Sequence, residues 1–179
     1  MKSFKNSTIL SGPKLLIAGL VVVVVVLLAL NSNSAPSTPE ADLSATSGTP
    51  ILTMPVTKAE LGNVSMQNGV AEQVFSIRND GDGPLRIGAL ETSCMCTTAK
   101  LEVGGTMSPA FGMPGHGGSA SRSWAMDIPP GEEGTLHVYY DPNAHGPSGV
   151  GPFSRDISFT TNDTNAPRSS VKISGVTVR

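Results

Sequence analysis

The sequence predicts an all-β fold, two packed antiparallel sheets, preceded by one N-terminal transmembrane helix. Three observations predict it. Beyond Met54 the apolar residues alternate over short runs, turn-forming clusters of Gly, Pro, Asn and Asp separate those runs, and one unbroken apolar stretch lies near the N-terminus. The chain has 179 residues, 20 of them Gly and 14 Pro, and no amphipathic helical pattern follows residue 34. That length fits one modest domain plus accessory segments. A formal net charge of -2 with 15% charged residues leaves no basic stripe to neutralise a run of phosphates, which excludes a nucleic-acid partner.

From Leu15 to Leu30 the chain reads LLIAGLVVVVVVLLAL, without a charge or a strong hydrogen-bonding side chain. As a helix rising about 1.5 Å per residue it covers roughly 24 Å, enough to cross a bilayer core with its flanks and some thinning. Lys2, Lys5 and Lys14 precede it, whereas Glu40 and Asp42 follow and no base appears before Lys58. The positive-inside rule therefore sets the N-terminus in the bacterial cytoplasm and the rest outside. The alternative is a cleaved signal peptide and a secreted chain, since Ser32, Ser34 and Ala35 are small enough for a cleavage site. Retention is favoured: the run is long for a signal peptide, and Asn33 sits badly three places before a cut after Ala35. The expected organisation is a cytoplasmic tip and signal anchor over 1–34, a flexible Ser-, Thr- and Pro-rich linker over 35–54, and the folded part over 55–179.

Within the folded part, QVFSIRN puts Phe75 and Ile77 on one face and ends in the turn cluster Asp80-Gly81-Asp82-Gly83-Pro84. Leu85 and Ile87 open a strand running towards the cysteines. Leu136, Val138 and Tyr140 alternate in TLHVYYD, and Ile157, Phe159 and Thr161 form the next inward row. Val171 and Ile173 lead into SGVTVR, where Gly175 marks a bulge that shifts the inward row to Val176 and Val178. Several short strands without helices favour an immunoglobulin-like antiparallel β-sandwich over a closed barrel. Trp124 and the cysteines lack the Cys, Trp, Cys spacing of antibody domains.

The pieces AELGNV, VFSIRNDGDGPLRI, ETSCMCTTA, IPPGEEGTLHVYYDP, GPFSRDISFTTND and VKISGV, in that order over residues 59–179, resemble the bacterial domain-of-unknown-function 1573 family. The resemblance implies an exported immunoglobulin-like domain akin to the abnormal-spindle and hydin group, and it implies no established activity. Two departures stand out. Met95 replaces the Gly usual between the cysteines, and the connection after Thr98 is lengthened by an insertion at about 100–128.

Cys94 and Cys96 are the chain's two cysteines. In an extended strand their Cα atoms would stand about 6.7 Å apart, near the upper limit for a disulfide, with both side chains on one face. Such a pair suits a shared soft metal. The insertion adds Met107, Met113 and His116, and Met95 lies between the thiols, a donor set that favours copper over zinc. The candidate metal site is therefore Cys94 and Cys96 with His116 and one of Met113, Met107 or Met95. A structural role for the pair and thiol exchange with a partner protein stand beside it. Met126 reads as a gap-filler at the start of a core strand. His137, alternating with Leu136 and Val138, is expected on the surface beside Tyr139, and His145 in a loop before the next strand, able to approach the site but not counted among its ligands. Asn63-Val64-Ser65 and Asn162-Asp163-Thr164 read as turn residues rather than glycosylation sites.

No nucleophile elbow, phosphate loop or His-Glu zinc helix occurs, and the acidic residues fall singly in turns. The expectation is a non-enzyme. It is anchored in the cytoplasmic membrane through residues 15–30 and presents an interaction or structural domain to an envelope partner. Extracytoplasmic copper binding and a thiol-redox role are the alternatives.

Overall fold

The period-two alternation becomes ten strands in the computed structural model, which describes residues 47–116 and 121–179. They are β1 (Leu52–Thr53), β2 (Lys58–Ser65), β3 (Ala71–Asn79), β4 (Leu85–Thr92), β5 (Thr97–Val103), β6 (Thr106–Met107), β7 (Ala125–Ile128), β8 (Glu133–Tyr140), β9 (Gly151–Thr161) and β10 (Arg168–Val178). Two five-stranded sheets result, β1-β3-β8-β5-β6 and β2-β10-β9-β4-β7. The β2–β10 pair is parallel; the other pairings are antiparallel. The inner faces meet through the rows read from the sequence: Phe75, Ile77, Leu136 and Val138 from one sheet, Ile157, Phe159, Val171 and Ile173 from the other, none more than 2% exposed. The apolar run 15–30 and the linker as far as residue 46 lie outside the described residues. Among those described, no helix is long and apolar enough to cross a membrane.

The linker expected to reach residue 54 docks earlier. Thr49 N donates to Asp82 Oδ1 at 2.6 Å, Ile51 N to Asn79 Oδ1 at 3.3 Å and Leu52 N to Asp163 Oδ2 at 2.9 Å. β1 then pairs with Arg78 and Asn79 of β3. What admits this segment is the Asp80–Pro84 turn: a Cβ on Gly83 would stand 2.5 Å from the Gly48 carbonyl carbon, and one on Gly81 would overlap the Thr49 carbonyl. Composition alone reads 48–54 as tether because its anchors are polar groups elsewhere in the chain.

The C-terminal register also differs from the expected one. β9 and β10 pair without interruption from Arg168↔Thr160 to Thr177↔Gly151, so the inward row continues as Val171, Ile173, Gly175 and Thr177, and Val176 is 39% exposed. A bulge does occur opposite Gly175, but β2 absorbs the extra residue: Ser174 pairs Glu60 and Val176 pairs Asn63. Gly62 turns there at φ 64, and a Cβ on Gly175 would meet its carbonyl oxygen at 2.7 Å. Buried Thr177 is accommodated because its hydroxyl meets Tyr140 OH at 2.7 Å.

A second bulge shapes β4. Gly88 pairs Thr160 and Glu91 pairs Ser158, three residues against two, with Ala89 at φ 47. The bulge moves the inward row from Leu85 and Ile87 to Leu90 and Thr92. A left-handed conformation costs a non-glycine residue roughly 1–2 kcal/mol, so Ala89→Gly is expected to raise stability by about 0.5 kcal/mol after the entropy of the more flexible unfolded chain is offset. A urea midpoint below wild type would refute it.

Arg86 of β4 forms a fork with Asp127 of β7, Nε to Oδ1 at 2.7 Å and Nη2 to Oδ2 at 2.9 Å. The Arg86 hydrogen bonds hold the Asp127 carboxyl below its ordinary value. A depressed carboxylate contributes stability above its unfolded pKa and loses it as pH falls through the folded one. Asp127 is 39% exposed, so solvent screening limits the pair to about 0.5 kcal/mol at pH 7. Asp127→Asn should therefore lower the urea midpoint at pH 7 and converge with wild type below about pH 4; a gap that widens on acidification contradicts the assignment.

Candidate functional site

The two cysteines sit in a turn, not in a strand. β4 ends at Thr92, and the Thr97 amide donates to the Cys94 carbonyl at 3.1 Å, closing a tight turn over Cys94-Met95-Cys96. Thr92, turned inward by the Ala89 bulge, places Oγ1 3.0 Å from the Cys94 carbonyl and 2.9 Å from that of Thr97, its one proton shared between them. The Asp141 amide donates to the Cys96 carbonyl at 2.8 Å, and Ser93 exchanges two hydrogen bonds with Asp156 of β9, each 2.9 Å. Turning brings the Cα atoms of Cys94 and Cys96 to 5.2 Å, and their sulfurs are joined as a disulfide. The expectation that the pair would resist bridging rested on strand spacing, which the turn removes.

The two sulfurs have different surroundings. Cys96 is 2% exposed, and its Sγ accepts a hydrogen bond from Arg155 Nε at 3.0 Å. Cys94 is half-buried, with Sγ 3.3 Å from Nε2 of exposed His145. His145 lies in the turn that follows β8, pinned by Ser148 Oγ donating to its carbonyl at 2.9 Å. Arg155 occupies an inward position of β9 between Phe153 and Ile157, and its Nη1 donates to the Ser154 carbonyl at 2.8 Å. Phe153 stacks on Tyr140 at 4.0 Å between centroids, with the Arg155 guanidinium 5.9 Å from the Phe153 ring.

The remaining predicted ligands fall elsewhere. Met95 projects from the turn apex, 53% exposed. Met107 lies opposite Glu102, five residues along β5 from Thr97, which at ~3.4 Å per residue is about 17 Å from the turn. Met113 follows Gly112, whose carbonyl accepts from the Thr92 amide at 3.3 Å, and the exposed His116 donates its amide to the Met113 carbonyl at 3.2 Å. Among the described residues, the His, Cys and acidic donors that cluster at the turn are Cys94, Cys96 and His145, all within 4.8 Å of one another; His116 is outside the group. Described residues of the insertion pack on the sheet and the core. Phe111 pairs with Ala99, is 1% exposed, and packs on Trp124 at 4.7 Å between centroids, while Met126 lies in β7 against the core.

His137 is on the outer face as expected, but it is not a plain surface residue. Its side chain is 16% exposed, between Glu72 of β3 at 2.7 Å and Glu102 of β5 at 3.1 Å. The hydrogen bond from His137 holds the Glu72 carboxyl below its ordinary value. Asn162, in one of the two sequons, uses both ends of its amide: Oδ1 accepts from the Arg86 amide at 2.8 Å and Nδ2 donates to the Pro84 carbonyl at 3.1 Å.

Residues 52–107 match the family described as protein of unknown function (DUF1573). This is the family that the sequence motifs point to. The DUF1573 match runs from β1 to β6, so it contains Thr92, Cys94 and Cys96 but neither His145 nor Arg155. No curated protein matches the chain. A crystal structure of a protein of unknown function from Porphyromonas gingivalis W83 is similar with a TM-score of 0.52 and 22% identity, over 80% of this chain and 51% of that one. This chain thus spans about half the length of that protein, and the likeness extends to the fold. The ASH / PapD-like domain 7 of human CEP192 gives a TM-score of 0.45 at 8% identity, over 82% of this chain and 98% of that domain. The YadV chaperone gives 0.42 at 11%, over 72% and 52%. The described residues thus form a sandwich of two five-stranded sheets, and β1 to β6 of it carry the DUF1573 match.

Proposed function

We propose that the chain is a membrane-tethered, extracytoplasmic interaction domain whose contact chemistry is thiol–disulfide exchange with an envelope partner. The observation that carries this reading is the unequal setting of the two sulfurs, Cys94 accessible beside an imidazole and Cys96 buried under a guanidinium. The apolar run 15–30, with Lys2, Lys5 and Lys14 before it, supports the tether and its direction. Exchange starts when one thiolate of a partner dithiol attacks Cys94 Sγ. The Cys94–Cys96 bond breaks, and its electron pair leaves on Cys96 Sγ, where the Arg155 N–H and positive charge stabilise the thiolate. The partner's second thiolate then attacks the partner sulfur of the mixed disulfide. Cys94 leaves as a thiolate beside His145 Nε2, 3.3 Å from its sulfur. Two electrons pass to the Cys94–Cys96 pair, which ends as two thiolates, and the two partner thiolates end as a disulfide. The domain acts as a stoichiometric exchange partner, consistent with a non-enzyme.

Single-cysteine variants of the full chain in its membrane test the order of attack. With the partner in its disulfide form, Cys96→Ser is expected to accumulate a mixed disulfide through Cys94, the same intermediate reached by the reverse exchange, whereas Cys94→Ser, with its remaining thiol buried, should not. In addition, reduction by dithiothreitol should slow by about three- to tenfold in Arg155→Gln, because the leaving thiolate loses its counter-charge. Equal trapping by both single variants, or an unchanged rate in Arg155→Gln, would overturn the reading.

A further inference from the structure

We infer that the reduced site binds one Cu(I) ion through Cys94 Sγ, Cys96 Sγ and His145 Nε2. The inference rests on the exchange reading in one respect, that the disulfide can be opened. The three donor atoms already lie within 4.8 Å of one another, with His145 Nε2 3.3 Å from Cys94 Sγ. Donors about 2.0–2.3 Å from a central ion stand about 3.5–4 Å apart. Opening the S–S bond and rotating the two side chains therefore reaches a three-donor arrangement without moving β4, β5 or β8, whose ends fix the turn through Thr92, Thr97 and Asp141.

Charge and donor count select the ion. Two thiolates with Cu(I) carry one net negative charge, and the guanidinium of Arg155, already donating to Cys96 Sγ at 3.0 Å, balances it. With Zn(II) the same thiolates are neutralised by the ion, which leaves the guanidinium facing no net charge, and zinc would need a water to complete its tetrahedron. Two soft sulfurs and one imidazole in a low-coordinate site suit Cu(I). Arg155 is then a positioning residue that touches the sulfur and not the metal. Relative to the ligand set expected from sequence, His145 takes the place of His116, and none of the thioethers is required.

The test uses the full chain, reduced with a phosphine and titrated with Cu(I) against a chromophoric chelator. Wild type is expected to hold one Cu(I) per chain, with a thiolate-to-metal charge-transfer band and an X-ray absorption first shell of two sulfurs and one nitrogen. The oxidised chain and Cys94→Ser/Cys96→Ser should hold none. His145→Gln should bind at least about tenfold more weakly and Arg155→Gln about tenfold more weakly, while His116→Ala stays at the wild-type value. His145 is exposed, so His145→Gln leaves the core intact and circular dichroism checks its fold. Unchanged affinity in His145→Gln, an equal loss in His116→Ala, or preferential uptake of Zn(II) would overturn the copper site. Dithiothreitol reduction of each variant, run with chelator present, separates the two readings. Exchange without Cu(I) binding ends the metal inference alone, and Cu(I) binding without exchange ends the exchange reading alone.

Discussion

Phe111→Ala is expected to destabilise the chain by about 3–5 kcal/mol, the usual cost of emptying a buried phenylalanine site. Phe111 is 1% exposed and packs on Trp124, and the bridge in which it and Ala99 exchange amide bonds of 2.9 and 2.8 Å holds the insertion against β5. Its neighbour Gly112 accepts from the Thr92 amide, the residue beneath the cysteine turn. The loss should therefore register twice: in the urea midpoint, and as faster reduction of the Cys94–Cys96 disulfide once the turn loses its support. A stability change under about 1 kcal/mol would mean that the insertion is peripheral and that its removal leaves no cavity.

Asn79→Leu should cost a comparable amount, about 3 kcal/mol, through polar groups rather than volume. Asn79 is 0% exposed and every hydrogen-bonding position of its amide is filled. Nδ2 donates to the Gly83 and Ile128 carbonyls, each at 2.9 Å, and Oδ1 accepts from Ile51 at 3.3 Å and Gly81 at 3.0 Å. Leucine matches the size but removes all four of these hydrogen bonds from a buried position. Asn79→Ala should be no milder, and hydrogen exchange in Asn79→Leu should rise first at Ile51 and Gly81. Slow exchange preserved at both amides would show that the side chain is replaceable.

The strands were legible because their signal is local. Phe75 with Ile77, Leu136 with Val138, and Ile157 with Phe159 carry their periodicity wherever they pack. What could not be read was decided by partners distant in sequence. Leu52 is fixed by Asp163, and the unbroken β9–β10 ladder keeps Thr177 inward where a hydrophobicity pattern favours Val176. The site divides in the same way. Cys94 and Cys96 were visible as a pair, but their strand geometry was wrong, because the Thr92 hydroxyl and the Ala89 bulge that set up the turn leave no periodic trace. His116 was preferred for its place in the Met-rich insertion, whereas His145, 51 residues from Cys94, is delivered by the β8–β9 connection. One signal did point to Arg155: extending the inward row Thr161, Phe159, Ile157 backwards by two lands on it, and a guanidinium facing inward requires an acceptor.

The way the chain enters β1 has a mechanical consequence. β1 is two residues long, lies at the rim of its sheet, and covers only Arg78 and Asn79 of β3. Under the tether proposed above, tension arriving at Ser47 falls first on Thr49, Ile51 and Leu52, whose amides donate to Asp82, Asn79 and Asp163. The segment would peel while the two sheets stay locked by the unbroken β9–β10 and β3–β8 ladders. Peeling 48–53 lengthens the leash by about 20 Å at ~3.4 Å per residue. Under that tether, residues 48–53 would give slack ahead of the two sheets and of the disulfide turn between them.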